Sequence, residues 1–225
     1  MATIIYGPTW FFKLDSLFEF IEMIIALIVF INAYRIYKIT CQKRYQYLAL
    51  SFLFIGASLL VRSLTNLAVY TKFLEQNPKV LFTLIQTIND ISSIYREGIL
   101  LFTLLMLIGT LILTLLALKI KNKMSIILIF ILSLIAIFLG QSTYVNFYLI
   151  SSILFIFITI HFIRNWLDHK SLNTFMVFIA FLSLLIANIF FLATVKYQIA
   201  YFIGHALQML GYIVLLIALI RILKK

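Results

Sequence analysis

The chain has 225 residues, of which 64% are hydrophobic and 11% charged, and its formal net charge is +11. Soluble globular proteins are about 45–50% apolar and about 25% charged, so this composition excludes the soluble, secreted, disordered and disulfide-stabilised classes. Long apolar runs with only two prolines predict helices, whereas a membrane barrel has alternating segments of about ten residues. We therefore expect an all-α integral membrane protein.

Seven apolar runs are candidates for membrane spans, each of which takes about 20 helical residues. They cover residues 17–34, 47–69, 98–118, 124–139, 145–163, 175–195 and 199–220. The connections between them leave no room for a soluble catalytic or DNA-binding domain. The sequence therefore predicts a seven-transmembrane-helix bundle in which residues 1–225 form a single membrane domain.

Lysine and arginine are concentrated in alternate connections, and cytoplasmic loops carry the excess of these residues. Twelve of the eighteen form a basic collar: Arg35, Lys38, Lys43, Arg44, Lys119, Lys121, Lys123, Arg164, Lys170, Arg221, Lys224 and Lys225. This pattern predicts an N-terminus outside and a cytoplasmic C-terminus in the plasma membrane. We expect the collar to face anionic lipids of the inner leaflet. Its charges are scattered over short segments, so no nucleic-acid binding is expected.

Residues 71–97 are too long for a tight turn and too polar for a span. Asn77 and Pro78 form a helix-start signal, and apolar residues then recur at helical spacing with polar residues opposite. We predict an outer amphipathic helix at about 78–95 that runs into or hinges onto the third span near Gly98. It either caps an outward-opening cavity or rests in the headgroup layer. An eighth span here would reverse the charge rule.

Polar and charged side chains recur at one predicted depth, in the outer half of several spans. Such residues usually face the bundle interior or a watery cavity, because a charge in lipid is costly. The candidate ligand-binding residues are Glu19, Glu22, Arg62, Asn66, Glu97, Asn188, His205 and Gln208. The simplest arrangement pairs Arg62 with Glu19 or Glu22. The set forms either an outward-facing pocket or ion pairs that only tie helices together.

Signatures of catalysis, metal binding and cofactors are missing from the sequence. No intramembrane HExxH, GxSxG or paired-aspartate motif occurs, so no enzyme is predicted. Cys41 is the only cysteine, which leaves no disulfide and no cysteine-rich zinc site. The last span lacks the central lysine that retinal requires, and His161 and His205 lie at unequal depths for bis-histidine haem. No cofactor and no metal is expected.

The first three and last three spans contain matching features. Residues 58–61 (SLLV) in the second span match residues 183–186 (SLLI) in the sixth, and Gly109 and Gly211 each precede a basic residue by ten positions. Such matches fit a parallel three-span repeat around a central fourth span, which is a known transporter plan. They also arise by chance in a chain rich in leucine and isoleucine.

Residues 204–212 (GHALQMLGY), with the apolar run that ends at Arg221, resemble the final span of seven-helix MASE-type membrane sensor domains. Those modules precede histidine kinases and diguanylate cyclases and also occur as stand-alone archaeal and bacterial proteins. The resemblance implies sensing of a ligand or of the state of the membrane, with His205 as the matching position. No output domain follows Arg221 in this sequence, so the resemblance implies a separate signalling partner.

Three functions are compatible with these features. The first is a non-enzymatic sensor or receptor-like protein with an outward-facing polar pocket for a small ligand, an ion or a proton. The second is a small transporter or channel that uses the same cluster, although polar residues in the inner half and Pro-kinked helices are few. The third is a structural membrane protein that forms homo-oligomers through its phenylalanine-rich faces.

Overall fold

Seven α-helices follow one another in the computed structural model, which describes residues 11–74, 81–120, 122–139 and 142–223. They are α1 (Phe12–Thr40), α2 (Lys43–Leu74), α3 (Leu81–Leu118), α4 (Lys123–Phe138), α5 (Thr143–His169), α6 (Leu172–Ala193) and α7 (Ile199–Leu223). These ranges contain no strand. The predicted all-α class is confirmed, and each predicted span has a helix.

Five of these helices, α2, α3, α5, α6 and α7, are long and apolar enough to cross a membrane. The shorter apolar helix α4 has 16 residues and is about 24 Å long at about 1.5 Å per residue. Helix α1 has 29 residues and carries Asp15, Glu19 and Glu22 in its first half. The length and composition of the described helices are those of a membrane protein.

Helix α3 contains both the predicted third span and the described part of the predicted amphipathic segment. The helix-start signal at Asn77 and Pro78 lies outside the described residues, but the backbone is helical without a break from Leu81 to Leu118. The predicted amphipathic segment and third span are therefore one 38-residue helix. A single glycine, Gly98, costs a helix only about 1 kcal/mol. A β-carbon at Gly98 would overlap the side chain of Thr65 on α2, so the position admits a close helix contact and not a hinge.

Short turns connect the helices, and several have side-chain or left-handed caps. Cys41 and Lys170 end α1 and α5 in the left-handed conformation, and each donates its N–H to the carbonyl four residues earlier. The hydroxyl of Ser171 caps the start of α6. Contacts along the helices pair rising with falling residue numbers in α1 with α2, α2 with α3, α5 with α6, and α6 with α7, so the helices of each pair run in opposite directions. This arrangement brings the basic turns after α1, α3 and α5 to one end of the bundle.

Six helices form a closed ring, and α4 lies outside it. Going around the ring, α1 packs on α2, α2 on α3, α3 on α5, α5 on α6, α6 on α7, and α7 on α1. Helix α4 packs mainly on α5, and only Ser133 and Ile137 of α4 are buried. The ring encloses the apolar core, and polar side chains of α1, α2, α5 and α7 project into it.

Candidate functional site

Arg62 projects from α2 into the interior of the ring and contacts side chains of the five other helices of the ring. Its Nη1 donates to the hydroxyl of Tyr148 on α5 at 2.5 Å, and its Nη2 lies 3.4 Å from the hydroxyl of Tyr201 on α7. The guanidinium carbon lies 4.8 Å from the ring centre of Phe102 and 5.7 Å from that of Phe191, within the range of cation–π attraction. Arg62 thus connects α2 to α3, α5, α6 and α7.

Glu19 on α1 is the carboxylate that pairs with Arg62. Its Oε1 lies 2.7 Å from Arg62 Nε, and Asn66 Nδ2 donates to Oε2 at 2.9 Å and to Oε1 at 3.2 Å. The side chain of Glu19 is fully buried. Removing one member of a buried ion pair leaves an uncompensated charge and costs about 3–5 kcal/mol. This pair therefore fixes α1 against α2.

A row of polar contacts joins α1 to α7. The three contacts are Asp15 with the Tyr201 hydroxyl at 3.5 Å, Glu19 Oε1 with His205 Nε2 at 3.9 Å, and Glu22 Oε2 with Gln208 Nε2 at 2.7 Å. The positions on each helix are spaced by four and then three residues, so they share one face. Numbers rise together along both helices, which shows that α1 and α7 run in the same direction. We call these three contacts the α1–α7 polar row.

Two side chains of this row contain polar atoms without a hydrogen-bond partner among the described residues. They are Oε1 of Glu22 and both ring nitrogens of His205, and all three atoms are buried. The His205 ring is surrounded by Phe11, Tyr201 and Phe191, with ring centres 4.6–5.7 Å away. A buried donor or acceptor without a partner costs about 1–3 kcal/mol. These atoms are therefore the part of the row that hydrogen bonds within the described residues do not account for.

A small cavity lies on the other side of Arg62, toward α3 and α5. It offers about 20 Å³ to the centre of a water-sized molecule, which is room for about one water. Thr65, Phe102, Tyr144 and Tyr148 contribute to its lining. A water or a small ion fits this space, whereas a metabolite requires a pocket of about 300 Å³ or more.

Six of the eight predicted site residues come together in this region. They are Glu19, Glu22, Arg62, Asn66, His205 and Gln208. Asn188 is buried on α6, but its amide donates to the Leu184 carbonyl of the same helix at 2.7 Å. Glu97 is exposed on α3. The structure therefore does not bring Glu97 or Asn188 into contact with the other six.

Asp15, Tyr148 and Tyr201 belong to the site and are not among the predicted residues. Asp15 precedes the predicted first span, yet it is four residues before Glu19, and Tyr201 is four residues before His205. Asp15 and Tyr201 could therefore be identified from the sequence, because each lies about one helical turn before a residue that was already a candidate. Tyr148 carries no comparable signal, because it is one of twelve tyrosines. We refer to the six predicted residues and these three as the buried polar cluster.

The fold and this site define an all-helical membrane protein with an ion pair and partly unpaired polar groups inside its helix bundle. Within the described part of the chain, no group of three or more His, Cys, Asp or Glu side chains could hold a metal ion. Comparison with known proteins finds no protein-family model, no curated protein and no solved structure that matches this chain.

Proposed function

We propose that the protein is a non-enzymatic sensor or receptor-like protein of the plasma membrane, in which the buried polar cluster binds a small ligand, an ion or a proton. In this proposal the chain spans the membrane seven times, with its N-terminus outside. The alternating helix directions support this topology, because they collect the basic turns at one end, and such ends face the cytoplasm. Helix α4 then spans the bilayer by local thinning.

The observation that supports a sensor best is the incomplete pairing inside the cluster. Arg62 and Glu19 are paired and hydrogen-bonded, as a structural ion pair requires. In contrast, Glu22 Oε1 and the His205 nitrogens have no hydrogen-bond partner among the described residues. A purely structural polar pair can be replaced by apolar packing without loss of stability. Polar groups retained inside a membrane bundle at a cost generally serve a function.

A transport path would require polar groups that continue toward the basic end of the bundle. The buried hydroxyls on that side bond to carbonyls of their own helices. Examples are Ser51 to Leu48, Thr114 to Thr110, and Thr159 to Phe155, at 2.7–2.8 Å. Hydroxyls bonded in this way have used their only donor, and no charged side chain of the buried polar cluster continues the row on this side. This arrangement favours a sensor over a channel.

The ring arrangement favours a small transporter as the second candidate. Helices α1, α2 and α3 contact one another and the second half in the same order as α5, α6 and α7 do. Repeats of this kind move against each other in transporters, with the substrate site between them. The buried polar cluster lies between these two halves. A transport assay must therefore accompany any test of sensing.

The test uses the full-length protein in liposomes, with Cys41→Ser and spin labels on cysteines at the exposed positions Leu17 and Ile199. We expect the distance between α1 and α7 to change with pH or with Na⁺ or K⁺, while vesicles show no saturable uptake of these ions. Arg62→Ala should abolish the distance change, whereas the exposed control Arg96→Ala should preserve it. Saturable uptake that depends on Arg62 would establish the transporter, and a distance insensitive to every condition would reject the sensor.

The basic collar is the surface through which we propose that the sensor meets lipids and a signalling partner. Lys119 and Lys170 are exposed in the turns at one end of the bundle, and Lys43 and Arg44 are exposed at the start of α2 at the same end. Each basic residue near an anionic leaflet adds about 1 kcal/mol of attraction. Helix α7 ends at this same surface, so movement along the α1–α7 polar row reaches it directly.

A further inference from the structure

We infer that the ligand of the buried polar cluster is a proton, exchanged by the pair Glu22 and His205. The inference rests on the proposed function and specifies its stimulus. Two contacts of the α1–α7 polar row are neighbours: Glu19 faces His205, and Glu22 bonds to Gln208. Glu22 and His205 therefore lie one step apart in this row, on opposite helices.

The buried polar atoms of this pair can accept or donate a hydrogen bond and have no hydrogen-bond partner among the described residues. Glu22 uses Oε2 for the Gln208 amide, which leaves Oε1 buried without a donor. His205 has two buried nitrogens, of which a neutral imidazole presents one as acceptor and one as donor. A proton gives either side chain a different charge without requiring any further space.

Size argues against a larger ligand at these atoms. The cavity beside Arg62 has about 20 Å³, and neither Glu22 nor His205 contributes to its lining. The described residues also lack a group of carboxylates, histidines or cysteines that could coordinate a metal ion. A proton is the ligand that reaches this pair without displacing side chains.

The charges around the pair explain what proton exchange would do. The ionisable side chains that surround it are Asp15 and Glu19 on α1, Arg62 on α2, Tyr148 on α5, and Tyr201 and Tyr212 on α7. Helix α6 contributes the apolar ring of Phe191. Three carboxyl groups thus share one guanidinium. Uptake forms one O–H or N–H bond with a proton from the outer water and adds one positive charge, which reduces repulsion along α1.

This exchange acts on the contact between the two halves of the ring. In the α1–α7 polar row, the carboxyl groups stand on α1 and the neutral hydroxyl, imidazole and amide groups stand on α7. Protonation of Glu22 would remove one negative charge from the α1 side of this row, next to Glu19, which reduces repulsion between the carboxyl groups that face α7. Loss of the proton adds a negative charge to a row already rich in carboxylates, and this weakens the contact between α1 and α7.

The experiment measures protons directly, with the purified full-length protein in nanodiscs. Potentiometric titration should show that Glu22→Gln takes up about one proton fewer per chain than the wild type. Infrared difference spectra across the same pH range should lose a carboxylic-acid C=O band in Glu22→Gln, and His205→Gln should shift its midpoint. The exposed control Glu97→Gln should retain the band and the midpoint.

Equal proton uptake and unchanged spectra in the wild type and Glu22→Gln would overturn the inference, provided that circular dichroism shows equal helix content. The spin-label measurement separates this failure from that of the proposed function. A distance change driven by Na⁺ or K⁺ with no Glu22 band would reject the proton and keep the sensor. A Glu22 band with no distance change at any pH or salt would keep the proton site and reject the sensor.

Discussion

Arg62 has an unusual number of partners for a single side chain in a membrane bundle. It pairs with Glu19 and donates to Tyr148 and Tyr201, and it lies over two aromatic rings. The planar guanidinium suits this task, because its donors point in several fixed directions in one plane. Lysine would retain the charge at this position but would lose most of this geometry.

Replacing Arg62 by alanine should therefore lower the free energy of unfolding by about 3–5 kcal/mol, since it leaves Glu19 buried and unpaired. Arg62→Lys should cost less, because the charge is kept. Reversible unfolding in mixed micelles, followed by circular dichroism, measures both. Arg96 is exposed on α3, and Arg96→Ala should stay within about 0.5 kcal/mol of the wild type. Equal losses for Arg62→Ala and Arg96→Ala would contradict the role assigned to the ion pair.

The sequence contains enough information to predict much of the cluster, but not all of it. Glu19 and Arg62 must find partners because both lie in apolar helices. Since the two residues are predicted at similar depths in the membrane, each is the expected partner of the other. Asn188 has a similar depth, yet its amide bonds to the carbonyl of Leu184 on its own helix, an option that no residue pattern excludes. Glu97 depends on how α3 is rotated in the ring, which is decided by packing and not by spacing.

At the scale of the helices, close approach occurs where α2 meets α3 and where α6 meets α7. A β-carbon at Gly109 would lie 2.7 Å from Ile55 Cγ1 and 2.9 Å from the carbonyl oxygen of Ser51. A β-carbon at Gly211 would lie 3.0 Å from the carbonyl oxygen of Ala180. Small residues let membrane helices approach closely. Both glycines therefore serve the same purpose at corresponding crossings.

We expect Gly109→Ala to destabilise the bundle by about 1–3 kcal/mol, because the new methyl group meets backbone that cannot move independently. Gly56 is the matched control, since its β-carbon would meet Leu27 at an ordinary 3.4 Å. Gly56→Ala should be neutral or should stabilise α2 by up to about 1 kcal/mol, the helix propensity difference between the two residues. Thermal unfolding in detergent micelles compares the variants, and a loss for Gly56→Ala as large as that for Gly109→Ala would oppose this assignment.

Each apolar run predicted a helix, whereas the helix ends and the choice between a continuous and a hinged α3 did not follow from the sequence. A polar segment after a proline signal suggests a separate surface helix, and residues 81–97 are indeed more polar than 98–118. The backbone nevertheless continues through Gly98, where α3 packs closely on Thr65. The packing of α3 on α2 thus outweighs the local tendency of a glycine to interrupt a helix at this position.

At the scale of the whole molecule, the order of the helices around the ring relates α1–α3 to α5–α7, as the matching sequence segments suggested. The matching segments at residues 58–61 and 183–186 lie on α2 and α6, which occupy equivalent places in the ring. Gly109 and Gly211 lie at equivalent crossings, α2 with α3 and α6 with α7. The buried polar cluster breaks this equivalence, because its charged groups come from α1 and α2 and its neutral groups mostly from α5 and α7. Under the proposed function, this uneven charge distribution is what lets a change of charge act on one side of the contact between the two halves.

The orientation of this scaffold can be tested with the native cysteine. Cys41 is exposed in the turn between α1 and α2, at the basic end that we expect in the cytoplasm. A membrane-impermeant maleimide should therefore leave Cys41 unlabelled in intact cells and label it once the membrane is permeabilised. Lys196 is exposed in the turn between α6 and α7 at the opposite end, so Lys196→Cys in a Cys41→Ser background should label in intact cells. The reverse pattern would invert the topology and would place the buried polar cluster nearer the cytoplasmic face, whereas labelling of both positions from one side would show that the number of spans between them is even.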